Sequence, residues 1–218
     1  MLVSSSPATT TPARPLTWSA ARYHPAFRLR LLVVVLLLLG ISYALPFFFA
    51  FIQARPGTVL PDPLLDALPA RDVSAPTFEV IYLSIAVALV YLLPRPTLLL
   101  RALWAYALLH LLRVATLWLF PLEAPAHLLV LHDPVVERFF YASPTPITKD
   151  LFFSGHTATL ALLSLAVGRS RLRQVLAVLT VVVATLVLIQ HAHYTYDVLA
   201  AVPFAFGCYW LAGKVVKW

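Results

Sequence analysis

Two short segments of the sequence carry side chains that could act together on one reacting group. His193 and Asp197 are four residues apart in the stretch HAHYTYDVLAA, so on a helix they lie one turn apart on the same face. The carboxylate can accept a hydrogen bond from one ring nitrogen and leave the other as a nucleophile or general base. The spacing predicts the base-and-orienter half of a catalytic triad. A hydrogen-bonded helix end at a water interface would use the same two residues, and this alternative stays open.

The second segment, Ser154-Gly155-His156, stands directly before an apolar stretch. Ser154 is a typical helix N-cap residue, and Gly155 lets the backbone come close to a ligand. Free N–H groups at the start of a helix bind anions such as phosphate, and His156 would lie beside the bound group. Taken alone, the segment is typical of a simple helix cap with an interfacial histidine. It becomes specific only when joined to the second histidine and its aspartate.

The elements that position these residues are predicted to be membrane helices. Of the 218 residues 61% are hydrophobic and 11% charged, with a mean hydropathy of +0.86, so the natural solvent of the chain is a bilayer. The fold class is all-α, a polytopic bundle of six transmembrane helices. The predicted spans are residues 31–52, 77–93, 97–120, 152–168, 174–192 and 196–213.

The distribution of charge predicts the orientation of this bundle. The net charge is +7, but the basic residues are spread between apolar segments, which argues against a nucleic-acid partner. One side of the membrane receives Arg14, Arg22, Arg28, Arg30, Arg95, Arg101, Arg169, Arg171, Arg173, Lys214 and Lys217. The other receives Arg55, Arg71, Arg138 and Lys149. By the positive-inside rule the first side, with both chain ends, is cytoplasmic, so both histidine segments reach the extracytoplasmic face.

The chain divides into two parts by composition. Residues 1–27 are predicted to be a disordered, cytoplasmic N-terminal segment, of which residues 4–16 are rich in Ser, Thr and Pro. Residues 28–218 form a single membrane domain. Cys208 is the one cysteine of the sequence, which excludes a disulfide framework and a cysteine-based metal site.

The motifs resemble those of a known family. The stretch DLFFSGHT from Asp150 and the stretch HYTYDVLAA from His193 are similar to the two active-site motifs of the sphingomyelin synthases. That family is a ceramide phosphotransferase branch of the PAP2-type lipid phosphatase superfamily. Two weaker similarities lie earlier in the chain: Leu60-Pro61-Asp62 resembles the family's Pro-Leu-Pro-Asp motif, and Leu112-Arg113-Val-Ala-Thr116 resembles its Tyr-Arg-x-x-Thr segment. Six helices with both ends cytoplasmic are also the family's plan.

The chain departs from the family pattern outside these motifs. Thr148-Lys149 stands where the family commonly has Cys-Gly, and Leu112 replaces the family's tyrosine, which bears on head-group and acceptor preference. The hydrolytic phosphatases carry Ser-Arg ahead of their second histidine, whereas this chain has Leu186-Val187 there. These residues favour the transferase branch over the phosphatases.

The resemblance implies a role for each motif residue. His193 would attack the phosphorus of a phospholipid donor, held in place by Asp197, and His156 would act as general acid and then as general base. The implied substrate-binding residues are Asp150, Ser154, Gly155 and Arg113. Arg113 could instead snorkel, or pair with Glu79 or Asp150, for structural reasons.

The resulting hypothesis is an enzyme in the membrane. It would transfer phosphocholine or phosphoethanolamine to ceramide or a similar lipid alcohol, without metal or cofactor, in a membrane such as a bacterial inner membrane. Its partners would be membrane lipids, and the sequence leaves its oligomeric state open. A lipid phosphate phosphatase would use the same residues with water as acceptor. A non-enzymatic transporter or lipid-binding protein is the remaining alternative, although its polar cluster would be expected near the bilayer midplane.

Overall fold

Helices make up the regular structure in the computed structural model, which describes residues 17–133 and 146–217. Residues 4–16 of the predicted disordered segment and two of the basic residues, Arg14 and Arg138, lie outside the described residues. No β-strand occurs in the described part of the chain, where an isolated bridge joins Thr58 to Leu122. The helices are α1 Trp18–Ala21, α2 Pro25–Ala54, α3 Pro63–Asp66, α4 Ser74–Leu92, α5 Pro96–Leu119, α6 Gly155–Ala166, α7 Arg171–Ile189 and α8 Thr195–Val215.

Five of these helices are long and apolar enough to cross a membrane, namely α2, α4, α5, α7 and α8. This finding indicates an integral membrane protein. Their bounds differ by a few residues from those predicted, and the largest difference is in α2, which begins at Pro25 rather than at 31. Pro25 occupies the start of the helix, where its missing N–H costs nothing. Residues 17–27, which belong to the segment predicted to be disordered, therefore hold the short helix α1 and the first residues of α2.

The span predicted at residues 152–168 is wrong in length. Helix α6 has 12 residues, about 18 Å at the rise of an α-helix, which is short of the hydrocarbon thickness. It begins at Gly155 because Ser154 caps it, accepting a hydrogen bond from the N–H of Thr157. It ends before Gly168, whose φ of +69° is the left-handed conformation that stops a helix. Six spans are thus not confirmed.

Helix α6 nevertheless passes through the bundle from one end towards the other. Its last residue, Ala166, packs with Leu92 and Ala102, near the turn between α4 and α5. Both described ends of the chain lie at this same end of the bundle, because Val216 shares a buried cluster with Ala21 and Phe27. The two histidine segments occupy the opposite end. Which end is cytoplasmic stays a prediction.

Small side chains let α6 pack closely between α5 and α8. Alanines supply much of this interface, and small residues allow helix backbones to approach one another in a membrane. The buried cluster contains Ala105, Leu109, Phe153, Ala158, Ala161, Leu162, Ala201, Ala205, Cys208 and Ala212. By contrast, many apolar side chains of α2 are exposed, as a helix facing lipid requires. The beginnings of α6 and α8 are therefore held side by side.

Candidate active site

The two histidines meet at one end of the bundle. His156 is the second residue of α6, and His193 lies in the turn before α8. Their ring centroids are 6.4 Å apart, with the ring planes inclined by 66°. A backbone hydrogen bond of 3.1 Å from the N–H of Ser154 to the carbonyl of Asp197 joins the two helix starts. Residues distant in sequence thus face a common space.

Asp197 orients His193 and caps α8 at the same time. Its Oδ2 lies 3.3 Å from Nδ1 of His193 and accepts a hydrogen bond of 2.9 Å from the N–H of Tyr194. The carboxylate is fully buried. Because an ionised carboxylate only accepts, this contact assigns the hydrogen to Nδ1 and leaves the lone pair of neutral His193 on Nε2. The same carboxylate thus makes the contact with the His193 ring and the helix-cap contact, and its catalytic role stays a prediction.

The residues of the Ser-Gly-His segment have separate positions. The Ser154 hydroxyl is buried, accepts from the N–H of Thr157 at 3.4 Å and donates to its Oγ1 at 3.1 Å. Gly155 and His156 line a cavity, whereas Ser154 is not part of its wall. Contact of Ser154 with substrate stays a prediction. In the described structure its side chain fixes the start of α6, and with it the position of His156.

Arg113 reaches the same cavity from α5 and forms an ion pair with Asp150. The exposed fraction is 13% for the Arg113 side chain and 30% for that of Asp150, and both residues line the cavity. The guanidinium also lies against Gly155: a Cβ added there would overlap its Nη1 and come within 2.6 Å of its Cζ. The pairing with Asp150, one of the alternatives left open by the sequence, is thus present. Arg113 remains accessible to an anion.

The cavity has a volume of about 760 Å³, within the range of small-molecule sites. One part of its wall is polar, with Arg113, Asp150, His156 and His193. The rest is largely apolar and is formed by one face each of α2, α4 and α5, including Leu45, Phe49, Ile81, Ile85, Leu109 and Leu117. A polar head beside an apolar slot is the shape that a lipid requires.

Asp62 supports the site, a role that sequence reasoning missed. Its Oδ2 accepts from the N–H of Thr195 at 2.6 Å and its Oδ1 from the Thr195 hydroxyl at 2.9 Å, two residues after His193. Burial acts to raise the pKa of Asp62, but the hydrogen bonds from Thr195 and Leu65 outweigh it, so the pKa lies below its ordinary value. Asp62 before Pro63 signals a local helix cap. Nothing local signals the contact with Thr195.

Tyr194 fixes the turn that carries His193. It is almost completely buried, and its hydroxyl donates to the carbonyl of Glu123 at 3.0 Å and accepts from the N–H of Leu60 at 3.3 Å. Two loops that are distant in sequence thereby clamp the start of α8. From the sequence one could have expected only that a tyrosine buried at this turn needs a hydrogen-bond partner for its hydroxyl.

Thr148 and Lys149, the residues that depart from the family pattern, anchor the segment that leads to Asp150. The backbone N–H of Thr148 donates to Oε1 of Gln53 at 3.0 Å, and Nε2 of Gln53 donates to the Thr148 hydroxyl at 3.0 Å. Lys149 forms an ion pair of 2.7 Å with Glu123 and donates to the carbonyl of Arg55. The Lys149 contact, followed by the N–H of Gly57, lowers the pKa of Glu123.

The described residues, 17–133 and 146–217, contain no candidate metal site. No three His, Cys, Asp or Glu side chains are grouped there to hold an ion. The charged residues that line the cavity with His156 and His193 are Arg113, Asp133 and Asp150.

Part of the chain matches a known protein family. Residues 149–214 match the family model described as PAP2 superfamily C-terminal, a range that includes Asp150, His156, His193 and Asp197. No curated protein matches the chain. The family match supports the PAP2 superfamily and a lipid enzyme of the phosphatase or phosphotransferase type.

Proposed function

We propose that this protein is an integral membrane head-group transferase of the sphingomyelin synthase type. It moves phosphocholine or phosphoethanolamine from a glycerophospholipid to ceramide or a similar lipid alcohol and releases diacylglycerol. The observation that carries the proposal is the His193–Asp197 pair, whose ring lies 6.4 Å from that of His156 at a cavity with an apolar slot. Both histidines fall within the matched PAP2 segment.

The first step forms a covalent intermediate. Nε2 of His193 attacks the phosphorus of the donor, and the bond from phosphorus to the glyceride oxygen breaks. Protonated His156 gives its proton to that oxygen, so diacylglycerol leaves as a neutral alcohol. Asp197 accepts the hydrogen bond from Nδ1 and stabilises the positive charge that develops on the imidazole of His193.

The second step transfers the head group. Neutral His156 takes the proton of the acceptor hydroxyl, whose oxygen attacks phosphorus, and the bond between phosphorus and Nε2 breaks. His156 ends this step protonated, as the next cycle requires. One histidine thus serves as acid and then as base. A separation of 6.4 Å lets both rings contact a single phosphoryl group.

Two groups stabilise the charge on the phosphoryl oxygens. Arg113 supplies a guanidinium that faces the cavity, and the first N–H groups of α6 supply the positive end of a helix dipole. Asp150 holds the guanidinium and adds a carboxylate beside the head group. In this proposal the site works on the extracytoplasmic face, because the basic residues are concentrated at the opposite end of the helices.

The test separates the transferase from a phosphatase and from a passive protein. Purified protein in vesicles is given head-group-labelled phosphatidylcholine or phosphatidylethanolamine, with and without ceramide. We expect a labelled sphingolipid that depends on ceramide. Label released only as phosphocholine or phosphoethanolamine would instead identify a hydrolase that uses water as the acceptor. No reaction with either phospholipid, together with release of phosphate from labelled phosphatidate, would identify a lipid phosphate phosphatase, which the family match equally accommodates.

Variants tie the activity to the site. His193→Ala and Asp197→Asn should abolish transfer while the protein still inserts into membranes. His127→Ala is the matched control, because His127 is exposed and outside the cavity wall. Near-normal turnover of either site variant would refute the proposed roles.

A further inference from the structure

His110 is an ionisable side chain of the cavity wall that the proposed reaction does not use. It lies three residues before Arg113 in α5, so the two share one face of the helix. Both residues line the cavity. Histidine within a helix of membrane-spanning length is costly and tends to mark a functional site. The position of His110 therefore indicates that its side chain binds a ligand in the cavity.

The contacts of His110 define which nitrogen is available. Nδ1 lies 3.1 Å from the carbonyl oxygen of Tyr106, which can only accept, so Nδ1 carries the hydrogen. The Tyr106 ring packs against the imidazole with 4.2 Å between ring centroids and holds its orientation. The lone pair of the neutral ring is then on Nε2. A ligand in the cavity with an N–H or O–H group can donate to it.

The depth of His110 decides which part of a lipid it would contact. Three residues along α5 correspond to about 4.5 Å, measured from Arg113 away from the end that holds the two histidines. Leu109, the residue before His110, is apolar, and Leu45 and Phe49 line the same cavity from α2. A lipid whose reacting hydroxyl is at His156 would therefore place the groups next to that hydroxyl near His110.

The chemistry of the acceptor follows from this position. A sphingoid acceptor such as ceramide carries two hydrogen-bond donors beside the reacting hydroxyl, an amide N–H and a second hydroxyl. Diacylglycerol carries only ester groups there, and esters accept but do not donate. We infer that His110 binds the acceptor lipid by accepting a hydrogen bond at Nε2, and so selects sphingoid acceptors over diacylglycerol. This inference rests on the proposed head-group transfer.

The experiment compares acceptors that lack one donor each. Transfer from labelled phosphatidylcholine or phosphatidylethanolamine is measured in vesicles with ceramide, N-methyl ceramide, 3-deoxyceramide and diacylglycerol. The wild-type protein should use one of the two ceramide analogues roughly tenfold less efficiently than ceramide, because the half-buried His110 then loses its donor. The analogue that is used poorly identifies which donor of ceramide, the amide N–H or the second hydroxyl, binds His110.

Variants assign this discrimination to His110. His110→Leu should treat ceramide and the poor analogue alike, whereas His110→Gln, which retains an acceptor oxygen, should keep part of the preference. His127→Leu should leave the preference unchanged, because His127 is exposed and outside the cavity. In His110→Leu the single-turnover release of diacylglycerol from the donor, measured without acceptor, should fall less than transfer to ceramide.

Two results would overturn the inference. One is a wild-type protein that uses both analogues as well as ceramide, a result that needs no variant to fold. The other is a His110→Leu protein that still discriminates. If the wild-type protein transfers its head group to no acceptor at all, the proposed function itself has failed.

Discussion

Gly155→Ala should inactivate the site without unfolding the protein. A Cβ at Gly155 would lie within 2.6 Å of Cζ of Arg113 and would overlap its Nη1, so the guanidinium must leave the place where it faces Asp150. The atoms that clash are the far end of a flexible side chain, which can move without disturbing the helix. The substitution therefore acts on the charge at the cavity rather than on the backbone.

The substitution should change stability little but turnover strongly. Loss of the Arg113–Asp150 ion pair, which is partly exposed, costs up to about 1 kcal/mol, and alanine in place of glycine in a helix restores up to about 1 kcal/mol. The free energy of unfolding should thus change little. Removal of one group that stabilises transition-state charge slows a reaction by roughly 10² to 10³. We expect a hundredfold loss of turnover, to order of magnitude, with a near-normal melting temperature.

The assay is release of diacylglycerol from phosphatidylcholine or phosphatidylethanolamine in vesicles that also contain ceramide, paired with thermal unfolding in detergent. Gly40→Ala and Gly207→Ala are matched controls, because a Cβ at either position meets no atom within 4 Å. Both should keep wild-type turnover. If Gly155→Ala turns over at the wild-type rate, or loses activity only in proportion to unfolding, Arg113 does not serve the reaction where the structure places it.

Three further substitutions test the supports of the site. Asp62→Asn should lower the free energy of unfolding above about pH 4 and change it little at lower pH. The pKa of Asp62 is depressed in the folded state. Its contribution to stability is therefore present above the unfolded-state pKa and is lost as pH falls through the folded-state pKa. Unfolding measured between pH 3 and pH 7 checks this, and equal destabilisation across that interval would contradict it. Tyr194→Phe should cost about 1 kcal/mol through loss of the hydrogen bonds to Glu123 and Leu60, measured by denaturant unfolding, and no measurable cost would refute the clamp. Lys149→Met should cost up to about 1 kcal/mol, less at high salt, because its ion pair with Glu123 is partly exposed; a cost that does not change with salt would argue against the pair.

The helices were predictable because their cause is local. Long apolar runs bounded by prolines mark α2, α4 and α5, and the structure has them within a few residues of the expected limits. The length of α6 was not predictable from apolarity alone. Phe152 and Phe153 continue the apolar run, but the helix starts only after the Ser154 cap. Apolarity reports burial as well as lipid contact, and α6 is largely buried among its neighbours.

The candidate site was predictable where motif spacing sets it. His193 and Asp197 lie on one helical turn, and membrane topology alone placed His156 at their end of the bundle. The contacts that support the site were not predictable, because the two residues of each contact are far apart in sequence. Asp62 contacts Thr195, and Lys149 contacts Glu123, through loops whose course depends on the whole bundle. The sequence left Arg113 with alternative partners, and only its position beside Asp150 identifies one.

Covalent trapping at His193 tests the central claim most directly. The protein in vesicles is incubated with phospholipid that carries label in its phosphate and is denatured in alkali, which preserves phosphohistidine, and the labelled peptide is mapped. We predict acid-labile label on His193 that chases into product when ceramide is added before denaturation, and that is missing in Asp197→Asn. An active protein that carries its label on another residue, or no label at all, would contradict the account.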